Sequence, residues 1–203
     1  MKTSIACRTI VVGIALALWA AGAAAQSDAS ASADGSTYYT PNQRGFWSYG
    51  GGAIGGSDYG LTCQPGYGCD TRDLGLKLYA GGKFSEFTGL EGSYVYLGDA
   101  HAGGGRTWGQ GLNLSLVGTL PLSQSVGLNA RVGSIFGWTR VGGSAPGMAT
   151  GNDHGFGLSY GTGLTYALSR TLGLRLDWDR YRLPFATGRH DVDLTTVGLQ
   201  FNY

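Results

Sequence analysis

No apolar run in the sequence is long enough to cross a bilayer as a helix. The greasiest stretch, Ile10 to Ala20, falls well short of the roughly 20 residues such a span requires. Charge is scarce too, at 13% of residues and nearly balanced in sign, which removes the basic surface that nucleic acid demands. The chain has three cysteines, three histidines and five prolines, too few for a disulfide-knit scaffold or a proline-rich linker. No segment carries a sustained helical period. These absences leave a β-rich or extended chain of a size suited to one domain.

What is present begins with "MKTSIACRTIVVGIALALWAAGAAAQ". Lys2 and Arg8 precede a short apolar run that ends in Ala23, Ala24 and Ala25, the layout of a secretory signal over residues 1–25 cleaved before Gln26. Export puts the chain in an oxidising compartment. Cys7 leaves with the signal, and Cys63 and Cys69 in "TCQPGYGCD" are expected to close a small disulfide ring. A metal site there would want further ligands at suitable spacing, and the sequence places none nearby. Residues 26–45, rich in Ser, Ala and Asp, lack the apolar content to fold and read as a flexible periplasmic leader.

From Phe46 the text changes to alternating segments separated by Gly, Asn, Asp, Pro and Ser. Eight strands are expected, at 46–56, 71–81, 87–98, 107–118, 125–139, 154–167, 171–182 and 191–203. Their linkers alternate long (57–70, 99–106, 140–153, 183–190) and short, which puts every long loop at one end of an up-and-down meander. That is the plan of an eight-stranded antiparallel transmembrane β-barrel spanning residues 46–203 in a bacterial outer membrane.

Parity supports it. Leu74, Leu76 and Leu78, then Leu112, Leu114 and Leu116, then Leu172, Leu174 and Leu176 share one face of their strands. Lys77, Glu91, Arg131, Arg175, Asp177 and Asp179 lie on the other. Alternation alone does not say which face is inside. The tryptophans decide: Trp108, Trp138 and Trp178 all have the leucine parity, and the meander is expected to bring them to the long-loop end as a membrane-interface girdle. Phe201 and Tyr203 would serve the opposite interface. The charged face is then the lumen, where Lys77, Arg131 and Arg175 must pair with Glu91, Asp177 and Asp179, with Lys77 and Glu91 a plausible direct pair on neighbouring strands. Gly155, Gly157, Gly161 and Gly163 should face inward to make room beside Ser159.

The stretch "DLGLKLYAGGKFSEFTGLEGSYVYLGDA" (73–100), with the eight-strand rhythm and the aromatic terminus, resembles the outer membrane protein A-like family of transmembrane barrels and small porin-like relatives. The resemblance implies a closed-in polar lumen with an ion-pair gate, and by strand position Glu91 and Arg175 match the family's lumen carboxylate and arginine. It implies recognition of the terminal strand by the barrel-assembly machinery. Larger members continue into a periplasmic peptidoglycan-binding domain; this chain stops at Tyr203, so cell-wall tethering through such a domain is not expected of it.

Enzyme readings are weak. "GLSYG" (157–161) matches a nucleophile-elbow pattern, but Ser159 sits mid-strand with no helix after it, and His154 has the opposite parity. "AGGGRTWGQG" (102–111) lacks the Lys-Ser/Thr of a phosphate cradle. No catalytic residue, metal or cofactor is expected. The expectation is a structural or surface-interaction barrel in contact with outer-membrane lipid, lipopolysaccharide and surface ligands reached by the long loops. In it Lys77, Glu91, Arg131 and Arg175, with Asp177 and Asp179, are expected to plug the lumen electrostatically, so that replacing Glu91 by alanine should raise conductance. The runner-up is a narrow gated pore for ions or small solutes.

Overall fold

The structure, a computed structural model, describes residues 47–60, 71–102, 105–143, 150–185 and 188–203. The signal and leader lie outside the described residues, as do Cys63 and Cys69 and their expected disulfide. Eight strands follow in chain order: β1 Trp47–Asp58, β2 Arg72–Lys83, β3 Thr88–Ala102, β4 Gly105–Pro121, β5 Val126–Gly143, β6 Gly151–Ala167, β7 Leu172–Phe185 and β8 Gly188–Asn202. Each pairs antiparallel with the next, and β8 closes on β1 to give a barrel. Closure satisfies every edge, which a sheet in hydrocarbon must do. At the inner end Tyr203 N–H donates to Ser48 O at 3.0 Å and Ser48 N–H to Tyr203 O at 3.3 Å.

The registers fix the geometry. A walk across the ladders from Ser48 passes Gly82, Leu90, Leu116, Val132, Tyr160, Arg180 and Asp193 and returns to β1 at Asp58, ten residues further out. Ten residues of stagger over eight strands set a strand tilt of about 40°. The outward face keeps the expected parity: Leu74, Leu114, Val132, Phe156 and Leu176 are all at least half exposed.

Strand lengths depart from expectation. β4 and β6 have 17 residues and β5 has 18, whereas a tilted strand crosses the hydrocarbon in about 9–11. Two of the four segments read as long loops, 99–106 and 183–190, are largely the outer ends of strands, with only residues 103–104 and 186–187 between strands, and half of a third, 140–153, belongs to β5 and β6. The charges and glycines that resembled loop chemistry belong to a β-sheet that has left the membrane.

Some outer ladders part. β2 and β3 pair only from Leu76↔Tyr96 inward, and a register shift falls between Tyr96 and Asp99. Gly98 takes φ +71° there, a conformation that favours glycine. Asp73 fills the gap left by the missing ladder: its Oδ2 accepts the backbone N–H of Asp99 at 2.6 Å. That bond is the largest of the causes holding the Asp73 carboxyl below its usual range. A depressed carboxyl stabilises above its unfolded value near 4 and loses that contribution as pH falls through its folded value. The protection of the Asp99 amide, its exchange rate relative to an unstructured peptide at the same pH, should therefore fall on acidification below about pH 4, and in an Asp73→Asn variant that pH dependence should be absent.

β6 and β7 also separate, their ladder running only from Ser159↔Tyr181 inward. Beyond it the outer half of the β7–β8 hairpin leans into the barrel. Thr139 Oγ1 on β5 donates to Pro184 O at 2.6 Å, and Leu183, Phe185 and Val192 are buried.

Candidate functional site

The barrel interior is the candidate site, and it has two tiers. The lower one is the ion network anticipated from sequence. Lys77 on β2, Arg131 on β5 and Arg175 on β7 meet Glu91 on β3 with Asp177 and Asp179 on β7, three cations against three anions and all buried. Asp177 is the hub. It lies 3.3 Å from Lys77 Nζ, 3.0 Å from Arg131 Nη1 and 2.9 Å from Arg175 Nε. Asp179 accepts from Lys77 Nζ at 2.7 Å and from Arg131 Nε and Nη2 at 3.0 and 2.7 Å. Arg175 forms a two-pronged pair with Glu91, Nη1 to Oε2 at 2.7 Å and Nη2 to Oε1 at 3.1 Å. This planar fork is the geometry for which a guanidinium is suited and an ammonium is not. Lys77 and Glu91 do come within salt-bridge range, at 3.7 Å, but Lys77 is closer to both aspartates.

Backbone choices make room for the network. Gly161 and Gly163 on β6 stand opposite Asp179 and Asp177 in the ladder, and a Cβ on either would collide with the facing carboxylate oxygen. The inward glycines expected on β6 thus have a steric reason at these two positions.

Sequence reasoning missed several partners. Tyr49 Oη donates to Glu91 Oε2 at 3.0 Å, and the Arg175 guanidinium carbon lies 4.3 Å from the centre of the Tyr79 ring. Both tyrosines have inward parity, and the alternation rule would have found them had aromatics on the charged face been counted. Below the network, Thr119 donates to Asn129 Oδ1 at 3.1 Å, and Asn129 donates to Thr165 at 2.7 Å. Ser159 is buried on β6 and donates to Asn113 Oδ1 at 2.5 Å. His154 faces the other side of the strand.

The upper tier corrects the expected lumen. Toward the outer end the inward positions turn apolar: Val95 and Leu97 follow Glu91 on β3, and Tyr181, Leu183 and Phe185 follow Asp179 on β7. With Ile135, Val192 and Leu194 they form a hydrophobic core inside the barrel, above the ion network. The leaning β7–β8 hairpin supplies half of it. A wholly polar lumen was expected because only the charged inward residues were read; Val95, Leu97, Tyr181 and Leu183 share their parity, and toward the outer end the inward face turns apolar.

The tryptophans face outward as expected but do not share one level. Trp138 pairs with Gln110, two residues along β4 from Trp108. From Trp178 the ladders lead through Thr162 and Ala130 to Gly118, ten positions inward of Trp108 on β4. After allowance for tilt, Trp178 lies roughly 15 Å below the other two. Phe201 and Tyr203 are exposed on the outward face near the inner end.

The comparisons agree with this architecture. By fold, the chain is similar to the attachment invasion locus protein Ail of Yersinia pestis, at 18% identity and TM-score 0.50, covering 79% of this chain and 100% of that one. It is similar to Neisserial surface protein A at 12% identity and TM-score 0.59, covering 78% and 97%. OprG from Pseudomonas aeruginosa matches at 14% identity and TM-score 0.50, covering 79% and 96%. No curated protein matches by sequence. The family model described as outer membrane protein beta-barrel domain matches residues 13–203. With a closed eight-stranded antiparallel barrel, a greasy outer face and nearly the whole length matched, this chain belongs to the outer membrane protein β-barrel family and resides in the bacterial outer membrane.

Proposed function

We propose that this protein is a closed, non-catalytic barrel, secreted by its N-terminal signal, which anchors an extended β-structure at the cell surface for contact with lipid, lipopolysaccharide and surface ligands. The observation that carries this reading is the series arrangement of the lumen. A solute would have to part an ion network buried to 0% exposure at Lys77 and Glu91 and then cross the apolar core around Leu97 and Leu183. Dehydrating an ion in such a core is prohibitive, so each tier blocks independently. A gated pore would need both to move together.

The outer surface suits contact. The outer ends of β4, β5 and β6 continue as strands above the aromatics, and their outward side chains there include Arg106, Arg140 and Asn152. Arg140 Nε donates to Asn152 Oδ1 at 2.8 Å, while Arg106 pairs with Asp99. A barrel of this fold, Ail, has been solved in complex with the heparin analogue sucrose octasulfate. Sites built on strands are held more firmly than sites on loops, which favours a permanent presented surface here. The terminal strand, with outward Phe201 and Tyr203, is the proposed recognition element for the assembly machinery.

Conductance tests the central point. The mature protein, refolded and inserted in planar bilayers with a heat-dependent gel shift confirming the folded state, should give no discrete openings. Reproducible single-channel steps in the unmodified protein would establish the pore reading instead.

A further inference from the structure

The apolar band that meets lipid is uneven around the barrel. On β4 it runs outward from Leu120 through Leu116, Leu114 and Leu112 and, past Gln110, to Trp108, a rise of about 30 Å along the axis at this tilt. On β7 it runs from Leu172 only to Trp178, about 15 Å, because Arg180 follows. A bacterial barrel band is about 25 Å tall. One wall is therefore taller than the bilayer and the neighbouring wall shorter.

Side chains mark both borders. On the short wall, Arg180 and Asp193 pair at 2.6 Å and Arg182 and Asp191 at 3.3 Å, all on the outward face. On the tall wall at the same height and above stand Phe136, Trp138 and Phe156. Phe136 packs edge-on against Trp138 with ring centres 4.8 Å apart and against Phe156 at 4.9 Å. Phe156 is 68% exposed. The inner border shows no compensating slope, since Leu122 at the β4–β5 turn and Tyr203 at the end of β8 are both exposed apolar residues near the inner rim. Simple inclination of the barrel would raise both borders together, so the difference is one of thickness.

We infer that the outer part of the β4–β6 wall is a lipid-binding surface, on which Trp108, Phe136, Trp138 and Phe156 hold the acyl chains of an anionic outer-leaflet lipid above the mean membrane level. The patch is continuous with the established lipid-facing band through β6, where Phe156, Leu158 and Tyr160 follow one another on the outward face, whereas Ser134 on β5 and Gln110 on β4 stand between the aromatics and the leucines of their own strands. Charge fits as well. Next above the aromatics on the outward face stand Arg106, paired with Asp99, and Arg140, whose hydrogen bond to Asn152 leaves its charge free to meet an anionic head. The short wall is bordered instead by the carboxylates Asp58, Asp191 and Asp193 in pairs with arginines. Hydrophobic mismatch of this kind is met by local thickening and thinning of the bilayer, at a modest cost for each ångström. The inference rests on the outer-membrane location and stands whether or not the lumen conducts.

The test uses two variants of the mature protein, each keeping a single tryptophan, Trp138 or Trp178, with the others replaced by phenylalanine. Both are refolded into phosphatidylcholine vesicles whose acyl chains carry bromine, and iodide is added to the water in a parallel series. Brominated chains should quench Trp138 at least half as strongly as Trp178, and iodide should reach both weakly. Trp138 quenched several-fold more by iodide and untouched by bromolipid would overturn the inference and make the wall a water-exposed docking face. Protection from both quenchers would overturn it in favour of a second copy of the chain. Phe156→Trp in the otherwise unaltered protein reads the same wall without removing any aromatic: added emission quenched by bromolipid upholds the inference, and added emission quenched by iodide sinks it.

Discussion

Replacing Asp177 by alanine should lower the unfolding free energy of the refolded barrel by about 3–5 kcal/mol, the loss that follows when one member of a buried ionic cluster is removed and its partners stay charged. Asp177 is the carboxylate that touches all three cations of the network, so its removal leaves Lys77, Arg131 and Arg175 facing only Glu91 and Asp179. Asp177→Asn keeps the shape but not the charge and should recover little of the loss. The whole network is not expected to contribute a large net stability, because six groups were first taken from water. Urea titration of the protein in vesicles decides this. A change below about 1 kcal/mol for Asp177→Ala would mean that water reaches the network and the lower tier is not sealed.

The second expected result concerns the two tiers in series. Glu91→Ala alone, which the sequence suggested would open the lumen, should leave the bilayer trace silent. The freed Arg175 keeps Asp177, and the apolar core above is untouched. Truncation of Leu183 to alanine should cost about 2–5 kcal/mol by opening a cavity where its side chain fills the space beside Gly137 and Gly109. It too should be silent alone, the ion network still being in place. Combining Glu91→Ala with Leu183→Ala should give discrete openings. Openings from Glu91→Ala by itself would show that the apolar tier parts readily and would revive the gated-pore reading.

Much of this is legible in the sequence. Period-two alternation separated Leu172, Leu174 and Leu176 from Arg175, Asp177 and Asp179 correctly, because a residue on a strand has only two faces to choose from. All six charges named for the lumen are there. Two things were not legible. Strand ends outside the bilayer carry Arg106, Arg140, Asn152 and Asp191 on the outward face, the residue types that also mark loops, so the strands were cut short there. The level of the tryptophans depends on stagger accumulated strand by strand, and no local pattern encodes it, so a ring of three was expected where Trp178 sits lower. The apolar tier lay between these cases. Its signal, inward parity changing from Asp179 to Tyr181, Leu183 and Phe185, was in the text but runs opposite to the rule for the membrane span.

The hydrogen bonds between Ser48 and Tyr203 join the two extremes of the barrel sequence, while most other ladders join neighbours through a short connection. Local hairpins close small loops and form early, at little entropic expense. The β1–β8 ladder closes a loop of the whole domain and has no hairpin to nucleate it. Until the final strand is delivered, β1 waits with an unpaired edge, and no partial length of the chain can complete a cylinder. Closure therefore waits on the arrival of β8, so loss of the segment from Gln200 to Tyr203 should weigh far more on assembly than the few contacts it deletes.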